Sequence, residues 1–353
     1  STSSWIASAN GMYEKDRETE LKTKTPKKWA GLYAGLNAGY GWGATTGANT
    51  TSVGFNDPYA NLWNQKTIAE DPIEGNSTWW GLFSPGGMAM ANTGLANISR
   101  NGFIGGGQVG WNYQDESKVI LGLEADIQGT TFGSSGSYIS GATEQAGYVD
   151  KEEGGSLESL VLNRSAVGTG KVSASTNWMG TFRARLGYAI LDNVMIYGTG
   201  GLAYGNVHAS ATHYNASNIS RQDAVGVTTW NYMNTPSVSS ANYSGFKAGW
   251  AAGGGVEWLF ADNWSARAEG MYYNLGNVML DSSPLSTNCS SQARNTSTDA
   301  CARGQASTNR IGPGGLLWTS MPTSKIQFDG VIVRGGLNYH FDWGKTDTVV
   351  AKY

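Results

Sequence analysis

The chain has 353 residues, 50 of them glycine, with 14 Trp, 17 Tyr, 9 Phe, 8 Pro and 2 Cys, and only 14% of it is charged. Glycine at about twice its usual share, gathered in runs such as Gly105 to Gly107 and Gly253 to Gly255, excludes a collagen-like chain. The many aromatics exclude a disordered one. The net charge of -3 offers nucleic acid no basic footprint, and no run of about 18 apolar residues supports a transmembrane helix. An all-β protein remains.

Residues 1–28 form a leader whose second half mixes basic and acidic side chains. It has no basic n-region followed by an apolar h-region, so a secretory signal has been removed or never existed. Period-two alternation then marks segments at 29–43, 99–114, 117–132, 172–188, 193–209, 242–260, 263–276 and 325–341. Three links between them are only a few residues long, around Asp115-Glu116, Leu191-Asp192-Asn193 and Ala261-Asp262-Asn263, which forces antiparallel hairpins. The other links, 44–98, 133–171, 210–241 and 277–324, are long, and short and long alternate strictly. A soluble domain rarely carries such loops. An outer-membrane barrel has this asymmetry by construction, with short periplasmic turns and long extracellular loops.

The faces agree with that reading. In 117–132 the residues Val119, Leu121, Leu123, Ala125 and Ile127 share one side, and Glu124, Asp126 and Gln128 share the other. The same split assigns Arg183, Arg185, Glu257, Arg267, Glu269 and Arg334 to the inner face, giving a lumen of balanced acids and arginines that neutralises itself. The alternative is a charged constriction that leaks small ions. Aromatic rings fall at two heights. Trp29, Trp111, Tyr113, Tyr188, Trp258, Phe260, Trp264, Tyr339 and Phe341 lie at the level of the short turns. Tyr40, Trp42, Phe103, Phe132, Tyr204, Tyr243 and Phe246 lie toward the other end. Two aromatic girdles flanking an aliphatic band are what a bilayer selects.

The stretches WAGLYAGLNAGYGWG, GFIGGGQVGWNYQ with LGLEADIQG, GTFRARLGYA with YGTGGLAYG, GWAAGGGVEW and VRGGLNYHF resemble the small outer-membrane β-barrel family of alphaproteobacteria. The resemblance covers nearly all the strand positions, in the family's order. It implies the eight-stranded fold of the membrane domain of outer membrane protein A. The expectation is therefore an all-β, eight-stranded antiparallel transmembrane β-barrel over 29–343 in a Gram-negative outer membrane. A periplasmic extension at 1–28 and a periplasmic tail at 344–353 complete it.

Other residues carry weaker signals. Cys289 and Cys301 lie in one polar stretch of the last long link, which suits a local disulfide worth roughly 3 kcal/mol in an oxidising compartment. The long links also hold Trp63, Trp79, Trp80, Phe83, Trp230, Tyr232 and Trp318. Such rings imply an ordered cap that either packs on itself or contacts neighbouring copies or a host surface. Some members of the resembling family bind haem, but His208, His213 and His340 show no ligand spacing, and no Ser and His spacing supports catalysis. The expected role is structural, with no cofactor and no enzymatic activity, the alternative being a narrow, porin-like diffusion pore. Expected partners are outer-membrane lipid and lipopolysaccharide, a second copy or lattice, and peptidoglycan through residues 1–28.

Overall fold

Alternating side chains build extended backbone, and the computed structural model extends it well beyond the alternation visible in the sequence. It describes residues 28–55, 78–80, 89–114, 118–151, 157–222, 228–233, 236–288 and 316–341. In chain order the strands are β1 Gly31–Gly43, β2 Gly47–Phe55, β3 Thr78–Trp80, β4 Gly94–Asn97, β5 Asn101–Gln114, β6 Val119–Lys151 and β7 Leu157–Leu191. Then come β8 Val194–Gln222, β9 Thr228–Met233, β10 Ser237–Leu259, β11 Trp264–Asp281, β12 Leu285–Asn288 and β13 Leu316–His340.

All of them join one sheet, and every pairing is antiparallel. The hydrogen-bonded path runs β1, β5, β6, β7, β8, β10, β11, β13 and returns to β1, with Tyr33 opposite His340 at one end of that last seam and Gly43 opposite Gly330 at the other. The sheet therefore closes on itself, and closure removes the exposed edges that an open sheet presents. The remaining strands decorate the long-link end: β2 and β12 pair with β13, β4 with β2, β3 with β6 and β9 with β8.

The segments read as long loops are in large part ladder. β6 and β7 stay paired from Ser137 opposite Lys171 to Lys151 opposite Leu157, inside the 133–171 link. β8 and β10 pair as far as Asn215 opposite Ser237, inside 210–241. β11 and β13 pair as far as Asp281 opposite Thr323. The composition of these stretches explains the difference. They are rich in Ser, Thr, Gly and Asn, which reads as loop, while ladder hydrogen bonds need no apolar side chain.

A change in facing divides the wall into two zones. Between the short turns and the upper aromatic girdle the outward residues are large and apolar, such as Leu36 at 73% exposure and Phe103 at 70%, and the inward ones include the charged side chains. Beyond Gly129 and Trp178 the sense inverts. Val172, Ala174, Val207, Ala209 and Ala211 point inward and are buried, while Ser135, Lys171, Ser175 and Thr212 alternate with them on the outside. Apolar-out is the pattern of a wall against hydrocarbon, and apolar-in is that of a wall against water.

The interior is layered. At the short-turn end Trp29, Ile120, Ala189, Met195, Tyr197 and Leu259 form a closed apolar cluster. A charged layer follows. Above it sits a larger apolar core that includes Ile98, Ile104, Phe132, Met179, Leu275 and Phe328.

Candidate functional site

The charged layer occupies the inner face of β6, β7, β10, β11 and β13, and Glu124, Asp126, Arg183, Arg185, Glu257, Arg267, Glu269 and Arg334 are all buried there. Arg183 is central. Its Nη2 lies 2.6 Å from Glu124 Oε1 and 3.1 Å from Asp126 Oδ2, and its Nη1 bonds Glu269. Arg334 Nη2 reaches Asp126 at 2.9 Å and Glu269 at 3.0 Å, and Arg267 Nη1 reaches Glu124 at 2.5 Å. Arg185 pairs with Glu257. Each of the four acids thus meets at least one arginine across the lumen.

Space for these side chains comes from the neighbouring strands. In an antiparallel pair, directly opposed residues share a face. Six of the charges stand opposite a glycine: Arg183 with Gly201, Arg185 with Gly122, Arg334 with Gly39, Arg267 with Gly336, Glu124 with Gly110 and Glu269 with Gly255. A side chain in place of several of these glycines would strike a neighbouring chain. A Cβ on Gly201, for instance, would collide with the Phe182 carbonyl oxygen and come within 2.7 Å of Arg183 Cα.

Sequence reasoning missed the neutral members of the network. Tyr33 donates its hydroxyl to Glu124 Oε2 at 2.6 Å, Asn338 donates to Glu257 Oε1 at 2.7 Å, and Ser265 donates to the same oxygen at 2.5 Å. Gln108 accepts from Asn37 at 2.8 Å and bonds Arg267. All share the inward parity of the charges, a signal that was present in the alternation. His340 also lies here, with Nε2 3.0 Å from Ser265 Oγ and 3.5 Å from Glu257 Oε1.

Three aromatics stand elsewhere than expected. Trp29, assigned to the lower girdle, is fully buried and lies edge-on to His340, with ring centroids 6.1 Å apart. It has the inward parity of Tyr33 and Asn37, so it closes the lower mouth. Phe132, assigned to the upper girdle, is buried against Tyr273 at 6.5 Å because it shares the parity of Asp126 and Gln128. Tyr243 likewise packs on the inner core. Trp111, Tyr188, Trp258, Trp264, Tyr339 and Phe341 are on the outer face, each between 37% and 50% exposed.

Trp63, Cys289 and Cys301 fall outside the described residues, as do residues 1–27 and 342–353. Trp79 and Trp80 lie on β3, Trp230 on β9 and Trp318 on β13.

A second polar cluster sits beyond the change of facing, around His213. This ring is fully buried, with Nδ1 3.2 Å from Tyr138 Oη and Nε2 3.3 Å from Ser324 Oγ. Tyr138 donates to the Asn92 carbonyl at 2.9 Å, so it accepts from the imidazole, which fits a neutral ring protonated on Nδ1. Burial pushes the His213 pKa down to about 4. An unfolded chain protonates its histidine near pH 6.5. Acidification from there toward pH 4 therefore loads protons onto the unfolded state alone, and stability falls with pH across that window. Native-state hydrogen exchange of the β8 and β10 extension should lose about 2 kcal/mol of protection near pH 5 relative to neutral pH. The His213→Asn variant should show a flat response, and equal pH dependence in both proteins would refute the assignment.

No family model matches the chain. Among curated relatives, the 31 kDa outer-membrane immunogenic proteins of Brucella melitensis and Brucella suis are each 34% identical over 184 residues, 52% of this chain and 58% of theirs. The chain thus spans less than two thirds of those relatives' length. A 22 kDa outer membrane protein of Rhizobium leguminosarum is 26% identical over 221 residues, 62% of this chain and 75% of that one. Among solved structures, OprG of Pseudomonas aeruginosa aligns over 88% of this chain and 97% of that one, at 8% identity and a TM-score of 0.27, too loose a superposition to argue from. With a closed sheet and an apolar outer band beside this similarity to alphaproteobacterial outer-membrane proteins, the chain is an outer-membrane protein, resident in a Gram-negative outer membrane.

Proposed function

We propose that the ring of eight strands is a sealed transmembrane barrel with its short turns in the periplasm and its long hairpins outside the cell, and that its role is structural rather than catalytic. It would stabilise the envelope and hold an ordered extension above the membrane for self-association or surface recognition, surrounded by lipid and lipopolysaccharide. The observation that carries this reading is the lumen. Four acids and four arginines cross-pair in one layer, and the apolar cluster around Trp29 lies beneath them. Eight strands enclose room only for side chains, and here the side chains bond one another. The immunogenic character named for the Brucella relatives agrees with a surface-exposed extension.

A narrow diffusion pore is the competing reading. It draws support from Gln128 Oε1, Arg185 Nε and Arg334 Nη1, buried lumen atoms without a protein partner where water would bind. Planar-bilayer recording separates the two. The purified protein is expected to give a silent baseline at moderate voltage, and steady unitary steps would sink the sealed-lumen reading.

A further inference from the structure

Two grooves are stacked on the outside of the barrel, across the level where its facing inverts. The lower, of about 810 Å³, has Ala38, Gly105 and Gly129 as its floor, Tyr40 and Phe103 on one wall, and Thr131 and Asn177 at its upper rim. It passes through a gap in the upper aromatic girdle. On one side Tyr40 clusters with Trp42 and Phe103, at centroid distances of 5.0 and 5.2 Å. On the other, Trp178, Tyr204 and Phe246 lie 6.0 to 6.4 Å apart. Backbone packing does not require that gap. A Cβ on Gly129 would meet nothing nearer than the Gly105 carbonyl oxygen at 4.0 Å, and one on Gly105 would first meet the Asn37 carbonyl oxygen at 3.4 Å.

The upper groove, of about 770 Å³, opens beyond Trp178, and its walls include Ser135, Ser173, Ser175, His208, Ser210 and Asn242. Asn177 Nδ2, on the rim of the lower groove, lies 3.1 Å from His208 Nε2 in the upper one, so the two are continuous. Among the described residues, no Lys, Arg, Asp or Glu lines either groove.

The chemistry changes along this surface in one direction. An open apolar groove at the level of the apolar outer band leads past an aromatic cluster into hydroxyl, amide and imidazole groups. The slot fits an alkyl chain. Uncharged hydroxyl and amide groups above aromatic rings suit a neutral sugar, whose polar edge takes hydrogen bonds and whose apolar face packs on a ring. A phosphate headgroup would call for arginine or lysine. Because the slot is continuous with the lipid-facing band, its occupant arrives from the bilayer.

We infer that this face binds one glycolipid of the outer leaflet, with an acyl chain in the Gly105 and Gly129 slot and a neutral sugar against Asn177, Ser175 and His208. The inference rests on the proposed reading of the ring as a transmembrane barrel with its long hairpins outside.

The test uses the full chain in vesicles of phosphatidylethanolamine and phosphatidylglycerol, with or without a neutral monoglycosyl diacylglycerol, released into mild detergent for native mass spectrometry. One glycolipid per barrel should be retained. Gly129→Leu, which fills the slot, and the pair Asn177→Ala with His208→Ala, which strips the sugar contacts, should each weaken retention about tenfold, the scale of one or two hydrogen bonds or a filled site. Both are checked first for the gel mobility of a folded barrel. Unchanged retention in both variants overturns the site. So does equal retention of phospholipid, or displacement by the acyl-free neutral sugar alone, which would make this a site for soluble glycan. The underlying reading fails differently. It fails if the protein does not enter vesicles, or if protease on intact cells cuts at Asp192-Asn193 while sparing the long hairpins.

Discussion

Arg183→Ala is expected to lower the unfolding free energy by roughly 3–5 kcal/mol, the usual cost of removing one partner from a buried ion pair. Arg183 is fully buried and is held by three carboxylates on two other strands, Glu124, Asp126 and Glu269. Without it the layer keeps all its acids but loses one of its arginines, in a place where water is too scarce to screen the excess. The charge imbalance is separable from the loss of packing. Adding Asp126→Asn restores electrical balance while leaving Thr181 Oγ1 near the side chain it now contacts at 2.8 Å. The double variant should recover about half of the lost stability, since a buried uncompensated charge is the larger part of the penalty. Urea titration of the barrel in vesicles, followed by intrinsic fluorescence or gel mobility, measures both. A single-variant loss below about 1 kcal/mol would mean that water reaches the layer and solvates the freed carboxylates.

Gly201→Val should prevent the barrel from closing. Gly201 stands opposite Arg183 on the adjacent strand, and even its Cβ would collide with the Phe182 carbonyl oxygen. Overpacking against backbone has no rotamer escape, so the cost is roughly 3 kcal/mol or more. It falls on the β7 and β8 seam, which the ring needs in order to close. Gly200→Ala is the matched control. Its Cβ would meet nothing nearer than the Ala251 carbonyl oxygen at 3.8 Å, and it should fold normally. Refolding yield in detergent, scored by the heat-dependent shift in gel mobility, gives the answer directly. A folded Gly201→Val protein would show that the ring can widen locally to admit side chains.

The lipid-level part of this architecture was legible because hydrocarbon and lumen impose opposite demands on successive residues. Glu124, Asp126 and Gln128 alternate with Leu121, Leu123 and Ile127 without a break, and the structure places the first set inside and the second outside. Which acid meets which arginine was not legible. That depends on strand register and stagger around the closed ring: Arg183 reaches Glu269, 86 positions away in sequence, and Arg334 reaches Asp126, 208 positions away. Trp29, Phe132 and Tyr243 were misplaced because they were sorted by height along the barrel, whereas parity decides which side of the wall a residue occupies. The extension was missed for a different reason. Its inward residues are small, Ala174, Ala209 and Ala211 among them, so their alternation with serine and threonine is faint beside the contrast between leucine and glutamate.

The continuity of β6 and β7 has a mechanical consequence. At about 3.3 Å per residue, the 33 residues of β6 trace roughly 100 Å of strand, far more than a tilted crossing of a bilayer about 30 Å thick requires. The two strands share one ladder from the short-turn end to Lys151, and its single register shift lies between Gly129 and Phe132, beside the upper girdle. A strand pair is stiff where its hydrogen bonds repeat evenly and bends where a bulge interrupts them. Load applied at the far end of this hairpin is therefore carried down as a lever to the membrane surface, where flexure is concentrated. Tilting of the extension against another surface would be felt at the glycolipid slot, whose floor begins at that same bulge.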